Sequence, residues 1–319
     1  MQIQSMHFKQ TASQKLNDAV LQTAMKKAKG KFVDGRAAAV AEVDAWQDIR
    51  TYAAALRDRV IANLDAYLLE FEKNATARGA VVHWAETAEE ANAIIVNIAQ
   101  QNAVKTVTKS KSMVSEEIAL NDELEAAGME VVETDLGEYI LQLAHEPPSH
   151  IVAPAVHKSK EQVADLFVAA HGRPRSTDIT ALTREAREVL RDKFLNADMG
   201  ISGANFVIAE TGTTLTVTNE GNADLVTTIP RIHCVVTGIE KVIATLEDFA
   251  TLILTSASAF FIASVSSFAF SKLSFVIFLE MTSSVSPKKL RLGLSFEMYW
   301  TLLWSVLRLS VFGMKIKPS

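Results

Sequence analysis

Several short segments hold residue types that could do chemistry. In Lys109-Ser110-Lys111-Ser112-Met113 two ammonium groups and two hydroxyls fall where a strand gives way to a helix. Such a junction can gather cations, hydroxyls and helix N–H groups around an anion. The plainer reading is a solvated basic turn with Ser112 as a helix cap, and no Walker-type or dinucleotide-binding glycine pattern points to a nucleotide. In Glu133-Thr134-Asp135-Leu136-Gly137-Glu138 three carboxylates follow a strand within six positions. Crowded carboxylates can separate into an acid and a base, or ligate a divalent cation. A helix N-terminus capped by Asp135 or Thr134, with Glu138 in its first turn, contains the same residues. His145, His150 and His157 lie within thirteen positions, so they are candidate bases or ligands. Their spacing matches no standard zinc pattern, and a positional role for His150 and a partly exposed His157 fits equally well.

The longest candidate segment is GISGANFVIAETGTTLTVTNEGNADLVTTIPRIHCVVTGIEK, residues 200–241. Residues 205–209 and 213–218 have strand-like content, and Gly200, Gly203, Gly212, Gly221 and Gly238 punctuate them as turns. Glycine turns let backbone N–H groups approach a ligand closely. A pocket formed by Gly203, Glu210, Thr211, Gly212, Asn219, Glu220, Gly221, Asn222 and Thr227 is the functional expectation. Ordinary β-turns at a sheet edge are the alternative. Cys234, within the apolar residues 232–236, reads as a buried, inert thiol. No Gly-x-Ser-x-Gly elbow supports nucleophilic catalysis.

The elements that must position these residues follow from hydrophobic spacing. Over residues 13–73 apolar side chains recur at helical intervals, as in Val43, Trp46, Ile49 and Ala53, then Leu56, Val60, Leu64 and Leu68. They read as amphipathic helices separated at Gly30 and Gly35. From Gly79 short apolar strands alternate with helices: strand 80–84, helix 88–100, strand 106–109, helix 114–127, strand 130–134. Thr87 and Gly128 serve as caps. A helical turn at 136–143, a strand at 150–153 and helices at 159–170 and 178–197 follow. This order implies a layered α/β domain with parallel pairing, whose ligands sit beyond the carboxyl ends of strands. The loops after Thr108, Glu133 and Ala153 are therefore the places to look.

Composition narrows the function classes. The 319 residues carry a net charge of −5, and no basic stripe interleaves with aromatics, so no nucleic-acid partner is expected. One cysteine excludes an intrachain disulfide and any site of four cysteines from this chain. The first residues lack the pattern of a secretory signal, which gives a cytoplasmic expectation. Residues 253–319 hold seven basic and two acidic residues against 25 and 35 before them, and eight of the fifteen Phe. The expected organisation is a helical region 1–78, an α/β domain 79–250 and an apolar tail 251–319 of different composition. Its uncharged run at 249–271 is long enough for a membrane at ~1.5 Å per residue. However, Glu297 and Arg308 interrupt the second run, 292–312. An altered reading frame or truncated gene is the preferred account of the tail; membrane association through residues 249–312 is the alternative.

Residues 134–167, TDLGEYILQLAHEPPSHIVAPAVHKSKEQVADLF, together with residues 200–241 and the KSKSM segment, resemble the LUD domain of the lactate utilization protein B family. The likeness extends from near the N-terminus to about Asp248. It implies the deaminase, isomerase and CoA-transferase superfold. The role it implies is oxidation of L-lactate to pyruvate alongside other lactate utilization subunits, with [4Fe-4S] clusters. A small carboxylate or phosphate is the expected ligand of the groups above together with Lys109, Ser110 and Ser112. Glu133, Asp135, Glu138 and Glu210 are the catalytic candidates. The departure is the missing cysteine-rich region, so no cofactor and no metal site are expected in these residues. A non-redox subunit docking through the N-terminal helices, and an isomerase or transferase using Glu133 or Glu210, are the other readings.

Overall fold

The computed structural model describes residues 7–149, 153–218 and 220–253, with the backbone alone of residues 28, 31, 32 and 275–278. Helices α1 (Phe8–Leu16), α2 (Ala19–Lys29), α3 (Gly35–Ala41), α4 (Trp46–Ala62) and α5 (Leu64–Thr76) come first. The next group is α6 (Ala88–Gln101), β1 (Thr106–Lys109), α7 (Met113–Glu117), α8 (Leu120–Ala126) and β2 (Glu130–Glu133). Then come α9 (Leu136–Ala144), α10 (Lys160–His171), α11 (Ile179–Asn196) and β3 (Met199–Ser202). The remaining elements are β4 (Phe206–Ile208), β5 (Thr213–Val217), α12 (Asn222–Thr228), β6 (Ile232–Val235), β7 (Val242–Ile243) and β8 (Phe275–Phe278).

The first sheet has the order β2-β1-β3-β6 and is parallel throughout. Val107, Val131, Met199 and Ile201 pack on one face against Ile95, Leu120 and Leu124 of α6 and α8. On the other face Val132 and Val226 join Tyr139, Phe167, Leu182 and Leu190 of α9, α10 and α11. Helices on both faces explain why its strands are buried nearly end to end. The second sheet runs β7-β4-β5-β8, with β4 and β5 as an antiparallel hairpin. Ala53 and Leu56 of α4 pack on Phe206, Ile208 and Leu215, while Val60 packs on Val207 and Val242. The amphipathic face read in α4 and α5 is therefore a wall of this core.

Several expectations need correcting. Residues 80–84 form no strand: Val81 and Trp84 are exposed, and the Trp84 indole donates to Glu72 of α5. An alternating pattern without a ladder neighbour has no hydrogen bonds to make it a strand. The helix expected at 114–127 breaks at Ala119, whose φ of 53° turns Leu120 and Leu124 inward to 0% exposure. Gly30 caps the end of α2, as the spacing implied, but it also opens a π-helical turn, Gly30–Asp34, that leads into α3 at Gly35. Gly200 lies inside β3 rather than in a turn. A Cβ there would sit 1.9 Å from the Val226 carbonyl oxygen, so glycine is what lets α12 rest on the strand. Cys234 lies in β6 and is only partly buried. Residues 150–152 of the expected strand at 150–153 lie outside the described residues, and Ala153 is in a bend.

Candidate functional site

β1 has β2 on one side and β3 on the other, so the strand order reverses at its carboxyl end. In open α/β sheets such a reversal is where ligands generally bind. Lys109 and Glu133 are register partners at the ends of β1 and β2. The Lys109 ammonium lies 2.7 Å from Glu133 Oε1, with side-chain exposures of 1% and 7%. The Asn121 amide donates to the same oxygen at 2.8 Å. The ion pair is close in distance, but its angle leaves the ammonium without a directed hydrogen bond, and Glu133 Oε2 has no partner. Breaking such a pair leaves an uncompensated buried charge, which typically costs ~3–5 kcal/mol.

One turn further out, the loop after β2 meets the loop after β1. Asp135 Oδ2 accepts from the Lys111 backbone N–H at 2.7 Å and from the Asn222 amide at 2.8 Å. Asn222 also donates to Thr134 Oγ1 at 3.2 Å, and that hydroxyl donates to the Lys109 carbonyl at 2.8 Å. Lys111 Nζ lies 2.9 Å from Glu138 Oε1. The Leu136 N–H donates to Glu220 at 3.4 Å. Asp135 stands at the N-cap position of α9 but makes no side-chain cap bond, so the capping reading fails for it. Glu138 likewise turns to Lys111 rather than serving only the helix end. Ser112 caps α7 by accepting from Ser115 at 3.3 Å, and the Ser110 N–H bonds the Ile201 carbonyl across to β3 at 2.9 Å. Gly203 brings its backbone against this loop: a Cβ there would lie 3.3 Å from Ser112 Oγ.

Five carboxylates, from Glu116, Glu133, Asp135, Glu138 and Glu220, thus surround two ammonium groups from Lys109 and Lys111. Burial pushes Asp135 up to about 7, with Glu138 adding to the rise and the Lys111 N–H opposing it. Glu220 and Glu116 are also raised, in each case chiefly by burial. At neutral pH the cluster carries less negative charge than its formal count. Asp135 is consequently half ionised near pH 7, where a carboxyl group works best as a proton acceptor and donor. Lys111, 30% exposed, is the accessible cation.

The other sequence candidates fall elsewhere. Glu210, Thr211 and Gly212 form the β4–β5 turn against α5: Asn74 donates to the Ala209 and Glu210 carbonyls at 2.9 and 3.1 Å, and Arg78 to that of Thr211. Glu210 accepts from the Leu246 N–H at 3.2 Å. His157 is held on an exposed loop between Ser149 at 2.7 Å and Glu146 at 2.9 Å. Lys158, the first cause, and His157 together hold Glu146 below the usual carboxylate range. His145 ends α9 in the left-handed conformation. Gly221, at φ 79°, begins α12, and the Thr227 hydroxyl donates to the Ala223 carbonyl at 2.8 Å. His150 and Asn219 lie outside the described residues. The block at 200–241 is therefore divided: Gly203, Glu220 and Asn222 reach the cluster, while its hairpin turn packs on α5. Among the described residues no group of three His, Cys, Asp or Glu is arranged to hold a metal ion. Glu116, Asn121 and Gln142, which accepts from the Glu133 N–H at 3.0 Å, were not among the sequence candidates. Nothing in a polar helix residue's local context signals such a long-range contact.

The LUD domain family matches residues 68–264. The chain is 45% identical over 254 residues to lactate utilization protein B of Lysinibacillus sphaericus (strain C3-41), covering 79% of this chain and 53% of that protein. It is 49% identical over 219 residues to lactate utilization protein B of Geobacillus kaustophilus (strain HTA426), covering 68% and 46%. The chain spans about half the length of the curated relatives it matches. No solved structure matches it significantly. A family match over more than half of the chain, on a mixed α/β fold with a parallel sheet, establishes that the chain belongs to the LUD domain family.

Proposed function

We propose that this chain serves lactate utilization as the LUD-domain part of an L-lactate oxidation system, binding a small 2-hydroxy carboxylate beside Lys111 and Asp135. The relatives' name supports the system. The observation that carries the site is Asp135, raised by burial to about 7 and held by the Lys111 backbone N–H at the strand-order reversal, with the Lys111 ammonium on the neighbouring Glu138. Oxidising a 2-hydroxy acid to a 2-oxo acid removes the hydroxyl proton and, from C2, a hydrogen with its bonding electron pair, which passes to an acceptor outside these residues. Ionised Asp135 takes the hydroxyl proton. Lys111, with N–H donors beyond its contact to Glu138, holds the substrate carboxylate. Asn222 keeps Asp135 oriented. In this reading the fold is a variant of the deaminase, isomerase and CoA-transferase superfold.

The resemblance also implies [4Fe-4S] clusters, each needing four thiolates. Cys234 is the one thiol in the 319 residues, so these residues do not fit the group. No electron-accepting step is assigned to them; the acceptor belongs outside these residues, with the other lactate utilization subunits as partners. A cytoplasmic site of action goes with this proposal. Among the described residues no helix is long and apolar enough to cross a membrane. The N-terminal docking alternative is less favoured, because α4 and α5 use their apolar faces on the second sheet. Glu210 as an isomerase base is less favoured too, since it accepts from the Leu246 backbone.

The test is calorimetric titration with L-lactate and with propionate, which lacks the hydroxyl. A site that hydrogen-bonds the hydroxyl through Asp135 rejects the analogue, because the buried carboxyl is then left unpaired. Equal affinity for the two compounds would defeat the proposal.

A further inference from the structure

In Thr213–Val217 and the residue after it, Thr214, Thr216 and Thr218 alternate with Leu215 and Val217. A two-residue period places the three threonines on one face of the strand. Leu215, 1% exposed, faces the apolar core with Phe206 and Ile208. The threonines face the other way, where they line a small recess with Ala223, Asp224 and Thr227 of α12 and His233 of β6.

The chemistry of this lining is one-sided. The Thr216 hydroxyl donates its proton to the Gly203 carbonyl at 3.0 Å, and the Thr227 hydroxyl donates to the Ala223 carbonyl at 2.8 Å. Both oxygens keep lone pairs. Thr218 is 8% exposed, and its Oγ1 has no hydrogen-bond partner; neither has Asp224 Oδ1. Burial raises Asp224, and among the described residues no cation opposes it. His233 contributes no charge, because burial takes it down to about 4, and its Nε2 lies 2.8 Å from Ser202 Oγ. Among the described residues this recess thus offers surplus acceptors and a carboxylate with no cationic partner, a lining that suits a positive occupant.

We propose that this recess binds one monovalent cation, potassium or sodium, through the Asp224 carboxylate and the hydroxyl oxygens of Thr216, Thr218 and Thr227. An all-oxygen set suits a hard cation. One carboxylate balances a single positive charge, and the space admits an ion but no organic substrate. The ion ties β5 to α12, the helix whose Asn222 holds Asp135.

The experiment measures thermal unfolding of the full chain in potassium, sodium and choline chloride at one fixed ionic strength, on wild type, Asp224→Asn and Thr218→Val. Potassium or sodium should raise the wild-type Tm by several degrees over choline, saturably, as a ligand bound only to the folded state does. The better of the two ions identifies the occupant. Both variants should lose that difference. Thr218→Val keeps the shape of its side chain, so it decides the matter if Asp224→Asn does not fold. Equal wild-type Tm in all three salts, as for a recess filled by water, overturns the proposal. A salt difference that survives in Thr218→Val also overturns it.

Discussion

Asp135→Asn should change how stability depends on pH, in a direction fixed by the site. Burial raises Asp135 from its ordinary 3.8 to about 7 in the folded chain. A carboxyl group whose folded value is raised stabilises the fold when protonated, so its contribution is full below about pH 4 and is lost as pH rises through about 7. A roughly thousandfold difference in acidity corresponds to ~4 kcal/mol, and the partial exposure of Asp135 lowers this to ~2–4 kcal/mol. Asparagine has no such titration. Its carbonyl oxygen can still accept from Lys111 and Asn222, while its new NH2 group lacks an assigned acceptor, a loss of ~1–2 kcal/mol that does not vary with pH. The difference in unfolding free energy, variant minus wild type, should therefore rise by ~2–4 kcal/mol between about pH 4 and about pH 8, then level off. Glu220, itself raised by burial, is coupled to Asp135 and will broaden the rise without reversing it. Urea denaturation at several pH values reads this as a midpoint shift of ~1 M. A difference that is constant with pH, or that falls, would refute the reasoning.

Other perturbations test other parts of the account. Gly200→Ala forces a Cβ to 1.9 Å from the Val226 carbonyl and should cost at least ~3 kcal/mol or abolish soluble expression; a wild-type melting curve would show that α12 does not rest on β3. Deleting residues 1–76 removes α4 and α5 from the second sheet and should give insoluble protein. Deleting residues 1–34 should leave the melt nearly unchanged, since none of the described side chains in 7–34 is buried. Reconstitution with iron and sulfide should yield no stable cluster and no broad absorbance near roughly 400 nm, because four thiolates are required. Translation of the encoding DNA after residue 253 in the other two frames should reveal Cys-x-x-Cys runs if the tail arose by a frame change, and their absence would defeat that account.

Local chemistry made the first sheet's framework legible in the sequence. β1 and the capped helices follow from apolar runs bounded by Thr87, Ser112, Ser159 and Asp178, each of which does cap its helix. The site was half visible, since Lys109, Lys111, Glu133, Asp135 and Glu138 sit in two charged strand ends. Their pairing was not visible, because Lys109 meets Glu133 through strand register, and Asn222 reaches Asp135 across 87 positions. Gly200 was misread for the same kind of reason. Glycine within a strand looks like a turn until the helix that presses on it, 26 residues later at Val226, is in place. Ala119 shows the limit on helices: the 114–127 pattern is continuous, and an alanine gives no local signal that it takes the left-handed conformation that breaks it.

The central claim is that the site at the end of β1 holds a small 2-hydroxy carboxylate on Lys111 beside Asp135. Calorimetry with L-lactate on wild type and Lys111→Met, at about pH 6 and about pH 8, tests it most directly. Protonating Asp135 removes a negative charge next to the bound anion, so wild type should bind more tightly at the lower pH. Losing the ammonium should weaken binding at least ~tenfold, or ~1.4 kcal/mol. Lactate binding that is the same in Lys111→Met, or that strengthens as pH rises, would contradict the account.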